Sequence, residues 1–149
     1  MLIEVKVKVT WVVDNKPKRA TETFILDKEV FAQAEYTVMN ELTQKVNAGL
    51  AADYDIISLR VSAVREVITQ YEGEYSYIVS LRDTMLLDDG TEKVMKYKVL
   101  LWATSITEAM SHAREIVAQG YDMQIDSLRE VNYTYLNNQE EAENESQAD

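Results

Sequence analysis

Apolar and polar residues alternate from the start of the chain. Val5, Val7, Val9, Trp11 and Val13 are separated by Lys6, Lys8 and Thr10. A period of two marks a strand with one buried face. Asp14-Asn15-Lys16-Pro17-Lys18 predicts a turn, and Thr21–Leu26 a returning strand. The period then lengthens, with Phe31, Ala34, Val38, Leu42 and Val46 recurring at three and four, the stripe of an amphipathic helix. Asp27 is positioned to accept from that helix's first free amides. Gly49 followed by Leu50 supplies a glycine stop with its hydrophobic follower. A long third strand is expected from about Asp55 to Thr69.

The same order then recurs. Tyr75–Leu87 predicts a strand, Asp88-Asp89-Gly90 a turn and Val94–Trp102 a second strand. Ser105-Ile106-Thr107-Glu108 has the form of a capping box, followed by the stripe Ile106, Ala109, Met110, Ala113, Ile116 and Val117. Gly120 ends this helix, and a last strand is expected from about Met123 to Tyr135. The copies, 2–70 and 74–136, close on similar words, Ala63-Val64-Arg65-Glu66-Val67 and Ser127-Leu128-Arg129-Glu130-Val131. This organisation predicts an α+β fold of tandem duplicated ββαβ units. Each third strand lies beside its first, the sheet or sheets are antiparallel, and two helices pack on one face. Residues 2–136 are expected to form a single folded domain.

Charge changes the picture at one end. Five of the eleven excess negative charges fall in 137–149, a segment without aromatic or branched residues that is expected to be a disordered acidic tail. The rest is mildly acidic, which argues against duplex DNA held by bulk attraction but leaves room for a local basic stripe. The chain has no cysteine, which excludes disulfides, thiolate metal sites and thiol nucleophiles. No apolar run approaches the ~18 residues of a membrane span, and no signal-peptide pattern opens the chain. The expected location is the cytoplasm, with no membrane partner.

Candidate catalytic chemistry is sparse. His112, the sole histidine, falls on the flank of the second helix, where a solvated side chain is expected. Asp88, Asp89 and Glu92 crowd a turn but lack the alternating ligands of a calcium loop, and Asp53 and Asp55 merely flank Tyr54. There is no phosphate-binding glycine loop and no nucleophile elbow. The reading is therefore a non-enzyme, with no catalytic residue, metal or cofactor.

What remains is a surface. If Val5, Val7 and Val9 face the helices, Lys6, Lys8 and Thr10 face away; the same parity turns Ser76, Ile78, Ser80, Arg82, Lys96, Lys98 and Trp102 outward. Tyr133 and Tyr135 continue the last strand nearby. Cations that track phosphates, set beside aromatic faces that stack bases at ~1–3 kcal/mol each, are what single-stranded nucleic acid requires. The candidate nucleic-acid-binding residues are thus Lys6, Lys8, Arg82, Lys96, Lys98, Trp102, Tyr133 and Tyr135. Lysines on an open strand face also keep sheets soluble. The alternative is accordingly a protein-interaction or assembly module, such as a homodimer joined through a sheet edge or through the face bearing Ile78, Leu100 and Trp102.

The run Glu4–Val9, the segment Tyr97-Lys98-Val99-Leu100-Leu101, the helix Ile106–Val117 and the closing strand through Val131 stand in an order that resembles a family of small proteins of unknown function. That family occurs in Bacteroides-type gut bacteria and their tailed phages. The resemblance implies a phage or mobile-element setting, with the host cytoplasm as location. Small binders of that setting are replication accessories, host-takeover factors and minor virion proteins. The combined expectation is a binding protein for single-stranded DNA that serves as a replication accessory, with a protein partner as the alternative.

Overall fold

A computed structural model of the chain describes residues 1–136; the predicted acidic tail, 137–149, lies outside the described residues. The elements are β1 (Leu2–Val13), β2 (Lys16–Asp27), α1 (Phe31–Asn47), β3 (Ala51–Val61), β4 (Val64–Val67), β5 (Tyr75–Leu86), β6 (Glu92–Ala103), α2 (Ile106–Ala118), β7 (Met123–Val131) and β8 (Tyr133–Tyr135). The class is α+β, with two four-stranded sheets ordered β3-β1-β2-β8 and β4-β6-β5-β7. Two compact units result: Met1–Ser62 together with residues 133–136, and Ala63–Asn132. No helix among the described residues is long and apolar enough to cross a membrane.

Each unit is built on a hairpin with its third strand beside its first, as the pattern predicts. β1 pairs antiparallel with β2 and β3, and β5 with β6 and β7. The fourth strand is short and parallel to its neighbour, so both sheets are mixed rather than purely antiparallel. These short strands come from breaks in what the sequence reads as single long strands. β3 runs along β1 until β1 ends, with a last bond from Ser62 N to the Leu2 carbonyl at 2.8 Å. With no backbone left to pair, the chain enters the other unit, where Val64, Glu66 and Val67 align with Lys98, Val99 and Leu100 of β6. β7 likewise stops where Val131 meets Ser76 near the start of β5. Beyond it Tyr133, Thr134 and Tyr135 align with Thr23, Phe24 and Ile25 of β2. The ends of these additions match: Ile68 N donates to the Leu100 carbonyl at 2.8 Å, and Leu136 N to the Ile25 carbonyl at 3.0 Å. Ile68 and Leu136 then pack against the two cores.

Those cores follow the alternation. Ile3, Val5, Val7 and Val9 with Phe24 and Leu26 meet Ala34, Val38 and Leu42 of α1 in one unit. In the other, Tyr77, Val79 and Leu81 with Val99, Leu101 and Ala103 meet Ala109 and Ala113 of α2. Phe31 and Ile106, at the helix starts, remain exposed.

The repeated closing words are not in structural register. Val64–Val67 forms β4, whereas Ser127–Val131 belongs to β7. The equivalent triplets are Ser58-Leu59-Arg60 and Ser127-Leu128-Arg129: Leu59 stands opposite Val5, and Leu128 opposite Val79. Both strands also shift register at the same place, after the partners of Lys6 and Ser80, leaving Ile57 and Asp126 as extra residues.

The helix ends correct two further expectations. Asp27 closes β2 and takes the chain's amino terminus at 2.6 Å, so it does not cap α1, whose N-cap Val30 provides no side-chain bond. Ser105 Oγ does accept from Glu108 N, at 3.2 Å. The Glu108 carboxylate, however, takes Thr104 Oγ1 at 2.7 Å and the Thr104 amide at 3.3 Å. These bonds hold it below the usual carboxylate range. At the end of α1, Leu50 N reaches back to the Lys45 carbonyl at 3.0 Å across Gly49, whose φ of 77° suits a residue without a side chain.

Candidate nucleic-acid interface

Strand register lays out the helix-free face of each sheet in rows, because residues directly opposite share a face. In the second unit, reading across β7, β5, β6 and β4, the rows are Gln124–Arg82–Lys96, then Ser127–Ser80–Lys98–Val64. Arg129–Ile78–Leu100–Val67 and Val131–Ser76–Trp102 follow. Arg82, Lys96, Lys98 and Trp102 therefore share one face of one sheet. Lys96 is exposed, while Arg82, Lys98 and Trp102 are half-buried.

Two like charges directly opposite repel. Arg82 and Lys96 are such a pair, and Asp126, the extra residue of the β7 bulge, offsets them. Arg82 donates to it through Nε at 3.1 Å and also through Nη2. These bonds, helped by the nearby positive charge of Lys96, keep Asp126 below the usual carboxylate range.

The sequence reading turned Ile78 outward onto an open face, yet it is only 3% exposed and Leu100 is fully buried. They form an apolar row with Val67. Ser76 is buried too, donating through Oγ to the Val131 carbonyl at 2.7 Å.

In the first unit the rows across β3, β1, β2 and β8 are Arg60–Glu4–Ile25–Tyr135 and Ser58–Lys6–Thr23–Tyr133. Asp55–Lys8–Thr21 and Asp53–Thr10–Arg19 complete them. Lys6 and Lys8 are exposed. The last two rows line a shallow groove of about 470 Å³, in which Lys8 and Arg19 are matched by Asp53 and Asp55. Tyr54, between those aspartates, turns inward to the core, its hydroxyl 2.9 Å from Thr43 Oγ1.

Tyr133 and Tyr135 sit here, half-buried, in the other unit from Arg82 and Trp102. Tyr133 is committed: burial, together with its hydrogen bond to the Glu4 carboxylate, pushes its phenol up to about 12. Glu4 is itself buried, and Arg60 donates to it through Nε at 2.8 Å.

Sequence reasoning missed Arg129, Asp126 and the Glu4–Arg60–Tyr133 cluster. A signal for the first was present in the repeated Ser-Leu-Arg triplet, which in the second unit brings Arg129 onto the face carrying Lys98. His112 also differs from the solvated side chain expected. It stacks on Tyr71, with ring centroids 3.8 Å apart and planes 13° from parallel. Its Nε2 lies 3.4 Å from Glu108, and its buried Nδ1 has no partner. Tyr71 in turn donates to Glu115 at 2.8 Å. Among the described residues, no group of three His, Asp or Glu side chains converges in a way that suits a metal ion.

Two helix-backed, four-stranded mixed sheets, each with exposed basic residues on its helix-free face, define the class: a small α+β protein of two like-built units. The chain belongs to the family described as a domain of unknown function, DUF4494, whose family model matches residues 1–139. No curated protein and no solved structure matches the chain.

Proposed function

We propose that the protein is a non-enzymatic binder of single-stranded nucleic acid, acting as a replication accessory of a phage or mobile element. The observation that carries this reading is the shared face of Arg82, Lys96, Lys98 and Trp102 in the second unit. Lys96 and Lys98 there offer contacts to successive phosphates, Arg82 joins them by exchanging Asp126 for a phosphate, and Ser80 and Ser127 add hydroxyls between them. The half-exposed indole of Trp102 provides a stacking face at the end of the row. Arg129, exposed beside Ile78, enlarges the cationic set. Lys6 and Lys8 of the first unit are secondary, since Lys8 stands opposite Asp55. Tyr133 is left out because its hydroxyl serves Glu4 and Arg60.

A fluorescently labelled oligothymidine tests the reading by anisotropy. Micromolar binding is expected near ~50 mM salt, with the logarithm of affinity falling with that of salt at about 0.7 per phosphate neutralised, hence a slope near −2 for three cations. Lys96→Glu with Lys98→Glu abolishes binding, whereas Lys6→Glu with Lys8→Glu weakens it less. An unmodified chain that ignores the oligonucleotide at low salt removes the proposal.

A further inference from the structure

The two hairpins end in surfaces of opposite charge, and both ends expose aliphatic side chains. At the β5–β6 end, Met85, Leu86 and Leu87 are three consecutive exposed apolar residues, Leu86 at 74%. A run of that kind on a surface ordinarily marks a contact. Around it Asp88, Asp89 and Glu92 outnumber Lys93. At the β1–β2 end, Val12 and Val13 are exposed, and Lys16, Lys18 and Arg19 outnumber Asp14. The ends occupy equivalent places in their units, each at the tip of the central hairpin, yet carry opposite signs.

We propose that the β5–β6 hairpin end docks on the β1–β2 hairpin end of a second copy of this chain. The aliphatic side chains at each tip cover one another while the flanking charges match in sign and steer the approach. Other routes to self-association are weaker. The outer strands β3 and β7 each carry a bulge, which blunts a sheet edge. Ile78 and Leu100, on the helix-free face, are already buried. Because the two surfaces differ, the contact is heterologous: a pair joined by one such contact keeps one unused end of each sign, through which association continues head to tail. The inference rests on the hairpin ends alone and is independent of nucleic-acid binding.

Sedimentation velocity of the full chain across a wide concentration range tests it. The unmodified protein is expected to form species beyond a dimer at low salt and to dissociate at high salt, as opposed surface charges are screened. Leu86→Asp, which disables one end, and Lys18→Glu with Arg19→Glu, which disables the other, each yield monomers. Mixed in equal amounts, the two variants keep one working end apiece and form a dimer and nothing larger. That mixture also shows that both variants remain folded. An unmodified chain that stays monomeric at every concentration overturns the proposal, as does assembly that survives either variant, or a mixture that fails to dimerise.

Discussion

Gly73, on the connection between β4 and β5, shows how tightly single positions can be constrained. A Cβ built there would lie 2.2 Å from the Ala103 carbonyl carbon, a clash with backbone that no side-chain rotation relieves. Gly73→Ala is expected to destabilise the second unit by about 3 kcal/mol, the upper part of the usual overpacking range, as read by urea unfolding. Tyr133 makes a different case. Between about pH 10 and 12 an unfolded tyrosine gives up its proton while the folded Tyr133 holds it. The folded chain then binds more protons than the unfolded one, so stability falls as pH rises through that window and is unaffected by this group below it. Tyr133→Phe should therefore lose less stability than the unmodified protein over that window, measured by urea unfolding at a series of pH values. Tyr71, Tyr77 and Tyr97, whose phenols are also raised, titrate in both proteins, so the difference between the two isolates Tyr133.

At the scale of elements, the sequence was most readable where period and punctuation agreed. Val5, Val7 and Val9 announced β1, and Ala34, Val38 and Leu42 announced the buried stripe of α1. Gly49 and Leu50 gave the end of that helix, because a left-handed residue after a helix nearly demands glycine. The breaks after Val61 and Val131 were not readable. Neither Ser62-Ala63 nor Asn132 is a glycine or proline, and alternation continues across Asn132. Those breaks are set by the length of the neighbouring strand, which local composition does not encode. The same limit explains the misplaced repeat: Val64-Arg65-Glu66-Val67 matches Leu128-Arg129-Glu130-Val131 in letters, while pairing with β1 and β5 aligns Leu59 with Leu128. Of the candidate site, parity placed Arg82, Lys96, Lys98 and Trp102 on one face. It could not foresee that Asp126 would swing beside Arg82, since a bulge changes parity. Nor could it foresee that Tyr133 would join the first unit, beside Glu4.

For the whole molecule, the fourth strand of each sheet comes from the other half of the sequence. A cut at Gly73 yields one fragment holding β1, β2, α1, β3 and β4, and another holding β5, β6, α2, β7 and β8. Each would keep a hairpin, helix and third strand but lack the strand that completes its own sheet. The fragments 1–73 and 74–149 are therefore expected to be less stable alone than together. Mixing them should restore backbone amide protection in β2 and β6, as followed by hydrogen exchange. Protection of β2 and β6 in the separate fragments equal to that of the intact chain would contradict the role assigned to β4 and β8.

The division at Ser62 and Asn132 also bears on the order in which the protein is completed during synthesis. Residues 63–132 form their unit from one uninterrupted stretch, whereas the unit begun by Met1 waits for Tyr133 to Leu136. The segment that emerges first from the ribosome is thus finished last. Until then the β2 margin stands open in the nascent chain.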